Sequence, residues 1–166
     1  MNRLFIACAR PADVVSRSLD DYADWHIEPK VDGKRLLIIV GREGEQECYS
    51  RHGTPVRVEL PYHILRKVPE ETVFDCEHLS KTGEVIAFDV PIVFGHYNAI
   101  TIEERRRMLE HYFPEIGKFR RIARVPVKGA AALRWALERG HEGIVLKQPF
   151  SVYPMGDTRA WLKCKR

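Results

Sequence analysis

Five consecutive apolar residues, Leu36-Leu37-Ile38-Ile39-Val40, limit what this chain can fold into more than any other feature. A continuous apolar run of that length, stopped by Gly41, reads as a buried strand, and a buried strand needs partners for its backbone. Upstream, residues 25–30 read as extended, because Pro29 pushes Glu28 into β or polyproline geometry. Asp32-Gly33 between the two segments is a strong hairpin-turn signal. Residues 46–51 and 55–60 read as two short strands around a turn at His52-Gly53. Residues 72–79 and 84–93 are apolar-rich strands joined by a turn at Ser80-Lys81-Thr82-Gly83. Residues 120–127, 142–148 and 160–165 read as further strands. Helices are expected in short form within 1–24 and at 62–68. An exposed helix is expected at 101–112, where Thr101 and Glu104 form a capping box, and another at 129–139, closed by Gly140. Several hairpins with a few helices predict an α+β fold, antiparallel sheets flanked by helices.

At 166 residues, 45% apolar and 30% charged, the chain has the size and composition of one globular domain, read as 1–166. No apolar run approaches the roughly 18 residues of a membrane span, so no membrane partner is expected. The apolar stretch from Leu4 to Ala9 is too short for a signal-peptide core, which predicts a cytoplasmic location. Cys8, Cys48, Cys76 and Cys164 show neither zinc nor redox-motif spacing and read as reduced thiols. Charge is uneven: residues 1–83 carry 12 Lys/Arg against 14 Asp/Glu, and residues 84–166 carry 15 against 9. A basic second half suits a polyanion such as nucleic acid or a nucleotide, although many basic faces are simply solvated.

The richest segment is Glu28-Pro29-Lys30-Val31-Asp32-Gly33-Lys34-Arg35. A lysine held on a rigid element beside a turn can be aimed as a nucleophile, while the same residues also describe an ordinary charged hairpin. It is followed, in order, by Ser50-Arg51-His52-Gly53, Asp75-Cys76-Glu77, Phe88-Asp89, Glu142-Gly143-Ile144-Val145-Leu146-Lys147, and a terminal set of Tyr153, Gly156, Arg159, Trp161, Lys163 and Lys165. Lys163 and Lys165 alternate with Cys164, so they share a strand face. If that face met Lys30, the two cations would favour its neutral, nucleophilic form. A solvated edge strand carrying lysines is the plainer alternative.

Across residues 25–165, these motifs and their order resemble the adenylation domain of ATP-dependent DNA ligases, within the covalent nucleotidyltransferases. The resemblance implies the ATP-grasp-like nucleotidyltransferase fold of those ligases. It implies that Lys30 attacks the α-phosphorus of ATP, forms a lysyl–AMP adduct and later yields AMP to the 5′-phosphate of nicked duplex DNA. It also implies that Glu28 reads the adenine amino group and that Phe88 stacks on the purine, where plain core packing is the other reading. Glu77 would bind the ribose hydroxyl. Arg35 and Arg51 would lie near the ribose and substrate phosphates. Lys147, Lys163 and Lys165 would bind nucleotide phosphate, and Glu142 with Glu77 would lie at Mg²⁺. Arg105-Arg106-Arg107 on the expected helix could rest on a DNA backbone, with a solvated helix face as the plainer reading for at least one of the three. Trp161 reads as packing.

Two features depart from the family. Cys76 stands where glycine is usual, and the segment from Glu77 to Phe88 is short, closer to compact RNA ligases and capping enzymes. The family's OB-fold domain has no counterpart in these residues, so an OB-fold or DNA-binding partner on another chain is expected. Self-adenylation without it is expected to be slow, whether the chain is a dissected domain or a naturally minimal protein. An RNA ligase or capping-type activity, and a non-catalytic nucleotide- or DNA-binding module, are the alternatives. A role in DNA repair or replication follows only from the first reading.

Overall fold

The computed structural model describes residues 6–15, 18–97, 99–113 and 115–165. In chain order the strands and helices are β1 (Arg10–Asp13), β2 (His26–Lys30), β3 (Lys34–Val40), β4 (Gln46–Ser50), α1 (Tyr62–Leu65), β5 (Thr72–Leu79), β6 (Glu84–Val93), β7 (His96–Tyr97), α2 (Ile102–Tyr112), β8 (Phe119–Arg121), α3 (Gly129–Glu138), β9 (Gly143–Lys147) and β10 (Asp157–Lys165). Among the described residues these strands form two sheets. One has the order β1-β10-β9-β2. The other has the order β4-β3-β5-β6-β7, with β8 parallel to β6. Apart from β8 and the parallel β1–β10 pair, neighbours are antiparallel, which agrees with the expected α+β class.

The apolar run in β3 explains the layering. Leu36, Ile38 and Val40 point to a core that includes Phe74, Cys76, Leu109 and Phe113, so this face of the larger sheet is covered by α2. Leu37 and Ile39 point the other way, into a core with Val73, Ile92, Tyr153 and Trp161 that lies between the two sheets. A third core packs Ile27, Ile144, Leu146 and Leu162 of the smaller sheet on Ala132 and Ala136 of α3. A strand apolar at every position is therefore one buried on both faces.

The Asp32-Gly33 hairpin does not form. β2 pairs with β9 in the smaller sheet, while β3 pairs with β4 and β5 in the larger one, so residues 31–33 cross between sheets. Gly33 is required by close approach instead: a Cβ there would lie 2.7 Å from the His78 carbonyl oxygen and 2.9 Å from Glu77 Cγ. Pro29, which has no amide hydrogen, is tolerated because β2 is an edge strand.

Other expectations shift locally. Residues 55–60 make a single bridge, Tyr49 to Pro55, and otherwise run irregularly, with Val56 and Val58 packed against the α2-side core. Of the expected 120–127 segment only Arg120 and Arg121 are strand, in β8, and β10 starts at Asp157, earlier than expected. Within 1–24 there is a strand, β1, and a 3-10 turn at Leu19–Tyr22, capped by Ser18. Residues 1–5 and 16–17 of that segment lie outside the described residues. The helix near 62 covers only Tyr62–Leu65. The Thr101–Glu104 capping box is present, but α2 is not a wholly exposed helix, since it buries Ile102, Arg105 and Leu109. α3 ends as expected, with Gly140 just beyond it at φ +78°.

Candidate active site

β9 is the ruler of the site. It lies between β2 and β10, so each of its residues has a partner on both sides. Gly143 is opposite Lys30 and Lys165, Val145 is opposite Glu28 and Lys163, and Lys147 is opposite His26 and Trp161. Directly opposed residues share a sheet face, so these three rows face the space between the sheets. Rows two residues apart are separated by about 7 Å, and the outer two by about 13 Å. Lys163 and Lys165 therefore do share a face with Lys30.

The first row is open and cationic. Glu142, just before β9, accepts from Lys30 Nζ with one carboxylate oxygen and pairs Lys165 Nζ with the other. The side chains of Lys30 and Lys165 are 23% and 42% exposed. Partial burial would raise the Glu142 carboxyl, but the hydrogen bonds from Lys165 and Lys30 outweigh it and hold it below the usual value. The Lys165 ammonium is pushed up by the same bond. Lys163 stands 3.7 Å from the exposed carboxylate of Asp13.

The opposite wall comes from the larger sheet. Arg35 and Glu77 are opposed on β3 and β5. The β5–β6 register shifts between Asp75 and Cys76, which are paired with Asp89 and Ala87, leaving Phe88 as the extra residue of a bulge. Bulges redirect side chains. Phe88 here turns toward the inter-sheet core, edge-on to Trp161 at 6.3 Å, with the Arg35 guanidinium 4.6 Å from its ring centre. Burial pushes the Glu77 carboxyl up to about 7, against the pull of Arg35 and Lys30.

The far row is closed. Lys147 is 1% exposed and its Nζ lies 2.8 Å from Glu28 Oε2, 3.0 Å from the Phe88 carbonyl and 3.6 Å from Asp89 Oδ2. It also sits 4.2 Å from the Trp161 ring centre. Lys147 thus stands at the Glu28 end of the cavity, held by carboxylates, two rows along β9 from Lys30 and Lys165. Arg105 is also 1% exposed and grips Asp89 through Nε at 2.7 Å. Burial would raise the Asp89 carboxyl, but Lys147 and Arg105 hold it below its ordinary value. Arg106 lies 3.6 Å from Glu28 and 3.0 Å from Glu110. Of the three arginines expected on a DNA backbone, Arg105 is buried, Arg106 is tied to carboxylates, and Arg107 is exposed.

Between the walls is a cavity of about 770 Å³. It is lined by Glu28, Lys30, Arg35, Arg51, Glu77, Phe88, Lys147, Lys163 and Lys165, and so by every expected site residue except Glu142, which touches it through the two lysines. Arg51 is exposed at the mouth and donates to the His52 ring at 2.9 Å. Cys8 also lines the cavity, but burial pushes its thiol up to about 11, so it is protonated at neutral pH and no rival nucleophile. Sequence reasoning gave no role to Asp75, Asp89 or Val145, and placed Arg105 on a DNA backbone, not beside Asp89. The signal available for the acids was their place inside apolar strands, where a carboxylate must have a partner.

A family model, the ATP dependent DNA ligase domain, matches residues 60–165. The chain belongs to the ATP-dependent DNA ligase domain family. A curated relative, DNA ligase 2 of Korarchaeum cryptofilum, is 26% identical over 179 residues, covering 84% of this chain and 30% of the relative. The solved mycobacterial DNA ligase D complexed with ATP and MES superposes with TM-score 0.75 at 24% identity, over 97% of this chain and 60% of that one. The ligase domain of M. tuberculosis LigD gives 0.72 at 24% identity, over 96% and 59%. These two establish the ligase nucleotidyltransferase fold. The ligase domain described here spans less than two thirds of each of these relatives. No helix among its described residues is long and apolar enough to cross a membrane.

Proposed function

We propose that this ligase domain binds ATP between its two sheets and becomes adenylated on Lys30. The observation that carries this reading is the first row. One amine, Lys30, shares a carboxylate with Lys165 at the mouth of a cavity whose other end is aromatic. A purine suits the Phe88 end, where stacking on an aromatic is worth roughly 1–3 kcal/mol. Glu28 Oε2 is taken by Lys147, and the carboxylate as a whole presents acceptors only, which suits an amino group on the base. Triphosphate suits the Lys163 and Lys165 end. Glu77, facing Lys30 and Arg35, suits the ribose hydroxyls.

In the step itself, the neutral Lys30 amine attacks the α-phosphorus. The Nζ–P bond forms, the α–β bridging P–O bond breaks, pyrophosphate leaves, and one proton leaves Nζ. Glu142, already accepting a hydrogen bond from Nζ, is placed to receive it. Mg²⁺ is commonly held by one or two carboxylates with substrate phosphates completing its shell. Glu77, and Glu142 when its lysines turn to phosphate, would offer hard oxygen donors of that kind, and bound there the ion would neutralise charge on the phosphates.

The later steps in this reading pass AMP from Lys30 to the 5′-phosphate of a nick, after which the 3′-hydroxyl attacks that phosphate and AMP leaves. Residues 1–166 act as one adenylation domain, and an OB-fold module supplies the further nucleic-acid contacts. Nicks left by DNA replication or repair in the cytoplasm are the setting for such an activity. Incubation with α-labelled ATP and Mg²⁺ is expected to label the protein covalently, and chasing with nicked DNA is expected to discharge the label. Lys30→Ala is expected to reduce labelling more than a thousandfold. A parent protein that takes no label, with or without a supplied OB-fold module, contradicts the reading.

A further inference from the structure

Tyr153 belongs to the terminal sequence pattern yet has no part in the site as described so far. It is fully buried, and its ring packs edge-on against Trp161 at 5.5 Å. Its hydroxyl donates to Asp75 Oδ2 at 2.5 Å and accepts from the Ala9 amide at 3.1 Å. Asp75, also fully buried, gives both oxygens to Arg35. Nε donates to Oδ1 at 2.5 Å and Nη2 donates to Oδ2. Arg35 is the residue that turns from this pair into the cavity and lies over Phe88.

A phenylalanine would fill the same space as Tyr153, so packing does not require the oxygen. The hydroxyl adds one hydrogen bond to a carboxylate that grips a single arginine, and it carries that bond from a loop 78 residues away. The loop is itself fastened: Arg105 Nη1 donates to the Ser151 carbonyl at 3.0 Å, and the Tyr97 hydroxyl donates to the Tyr153 carbonyl. Burial and the nearby Asp75 charge push the Tyr153 phenol well up, so it keeps the proton it donates. Without that bond, Asp75 Oδ2 retains only the Arg35 contact and the Ala9 amide loses its acceptor.

We propose that Tyr153 is a positioning residue for nucleotide binding, its hydroxyl fixing Arg35 through Asp75 against the ribose-phosphate part of the nucleotide. The inference rests on the nucleotide-binding reading above. It separates Tyr153 from a merely structural tyrosine by predicting that its effect on binding requires Arg35.

The test is a double-mutant cycle on ATP binding, measured by calorimetry without divalent cation. Tyr153→Phe is expected to weaken binding about fivefold to tenfold in the parent, and less than about twofold in an Arg35→Lys background, which keeps a cation for Asp75 but loses the fork. Asp75→Asn, which strips the charge that Arg35 grips, is expected to weaken ATP binding at least as much as Tyr153→Phe, and Tyr153→Phe is expected to add nothing in that background. Phe113→Leu, remote from the cavity against Phe74, lowers the melting temperature but leaves ATP binding unchanged. Equal losses in both backgrounds, or no loss in the parent, overturn the role of Tyr153 while leaving the nucleotide site intact. A parent that binds no ATP overturns the site and the inference together.

Discussion

The two ends of the cavity use the same residue types under opposite conditions. At the Lys30 end, Lys30, Lys165 and Glu142 are 23%, 42% and 28% exposed, and one carboxylate serves two amines. At the Glu28 end, Glu28, Lys147, Asp89 and Arg105 are between 1% and 6% exposed and satisfy one another. Exposed pairs exchange partners readily and add little to stability, whereas a buried charge left without its partner is costly. The open end is thus free to give its charges to a substrate. The closed end spends its charges on holding Glu28 and Phe88 in place. Position in a strand, more than residue type, separates chemistry from support.

The sharpest way to break that contrast is Asp89→Ala, which leaves Arg105 and Lys147 buried without their shared carboxylate. It is expected to cost about 3–5 kcal/mol in denaturant melts. A loss near 1 kcal/mol would mean the closed end is not closed. Next in size is a matched pair of substitutions. Lys147→Met leaves Glu28 and Asp89 short of a cation and is expected to cost about 3 kcal/mol. Lys165→Met is expected to change stability by less than about 1 kcal/mol while lowering ATP labelling about a hundredfold. Similar stability losses for the two lysines would erase the difference between the ends.

The smallest effects lie in pH dependence. Glu77 is raised from 4.5 to about 7 in the fold, so between those values the folded state holds a proton that the unfolded chain releases. Its contribution to stability is full below pH 4.5 and is lost as pH rises to about 7. Glu142 is lowered, so its contribution is present above about 4.5 and is lost as pH falls through its folded value. Melting curves from pH 3 to 8 are therefore expected to show Glu77→Gln gaining on the parent at the alkaline side, and Glu142→Gln losing less than the parent at the acid side. Both variants shifting in the same direction would show that the two carboxylates do not differ as described.

Much of this arrangement was legible in the sequence where it depended on local pattern. The expected strands at 72–79 and 84–93 match β5 and β6, and the capping box at Thr101 and Glu104 marked the start of α2. The order of the six motifs brought together the residues that line the cavity. What escaped was non-local. Asp32-Gly33 carries hairpin chemistry, but Gly33 answers to the backbone of β5 some 45 residues later, and the chain crosses between sheets. The carboxylates around Lys147 were hidden too, because nothing in its own segment announces Asp89, with Arg105 behind it, as its neighbour. Arg105 reads as one of three arginines on a DNA backbone for the same reason. The Tyr153–Asp75 contact joins residues whose separation no short pattern spans.

The central claim is that the amine of Lys30 carries AMP. Intact and peptide mass spectrometry of the protein after incubation with ATP and Mg²⁺ tests it most directly. The account predicts a gain of one AMP, mapped to Lys30 and removed by added pyrophosphate. An adduct mapped to another residue, or one that persists in Lys30→Ala, would contradict it.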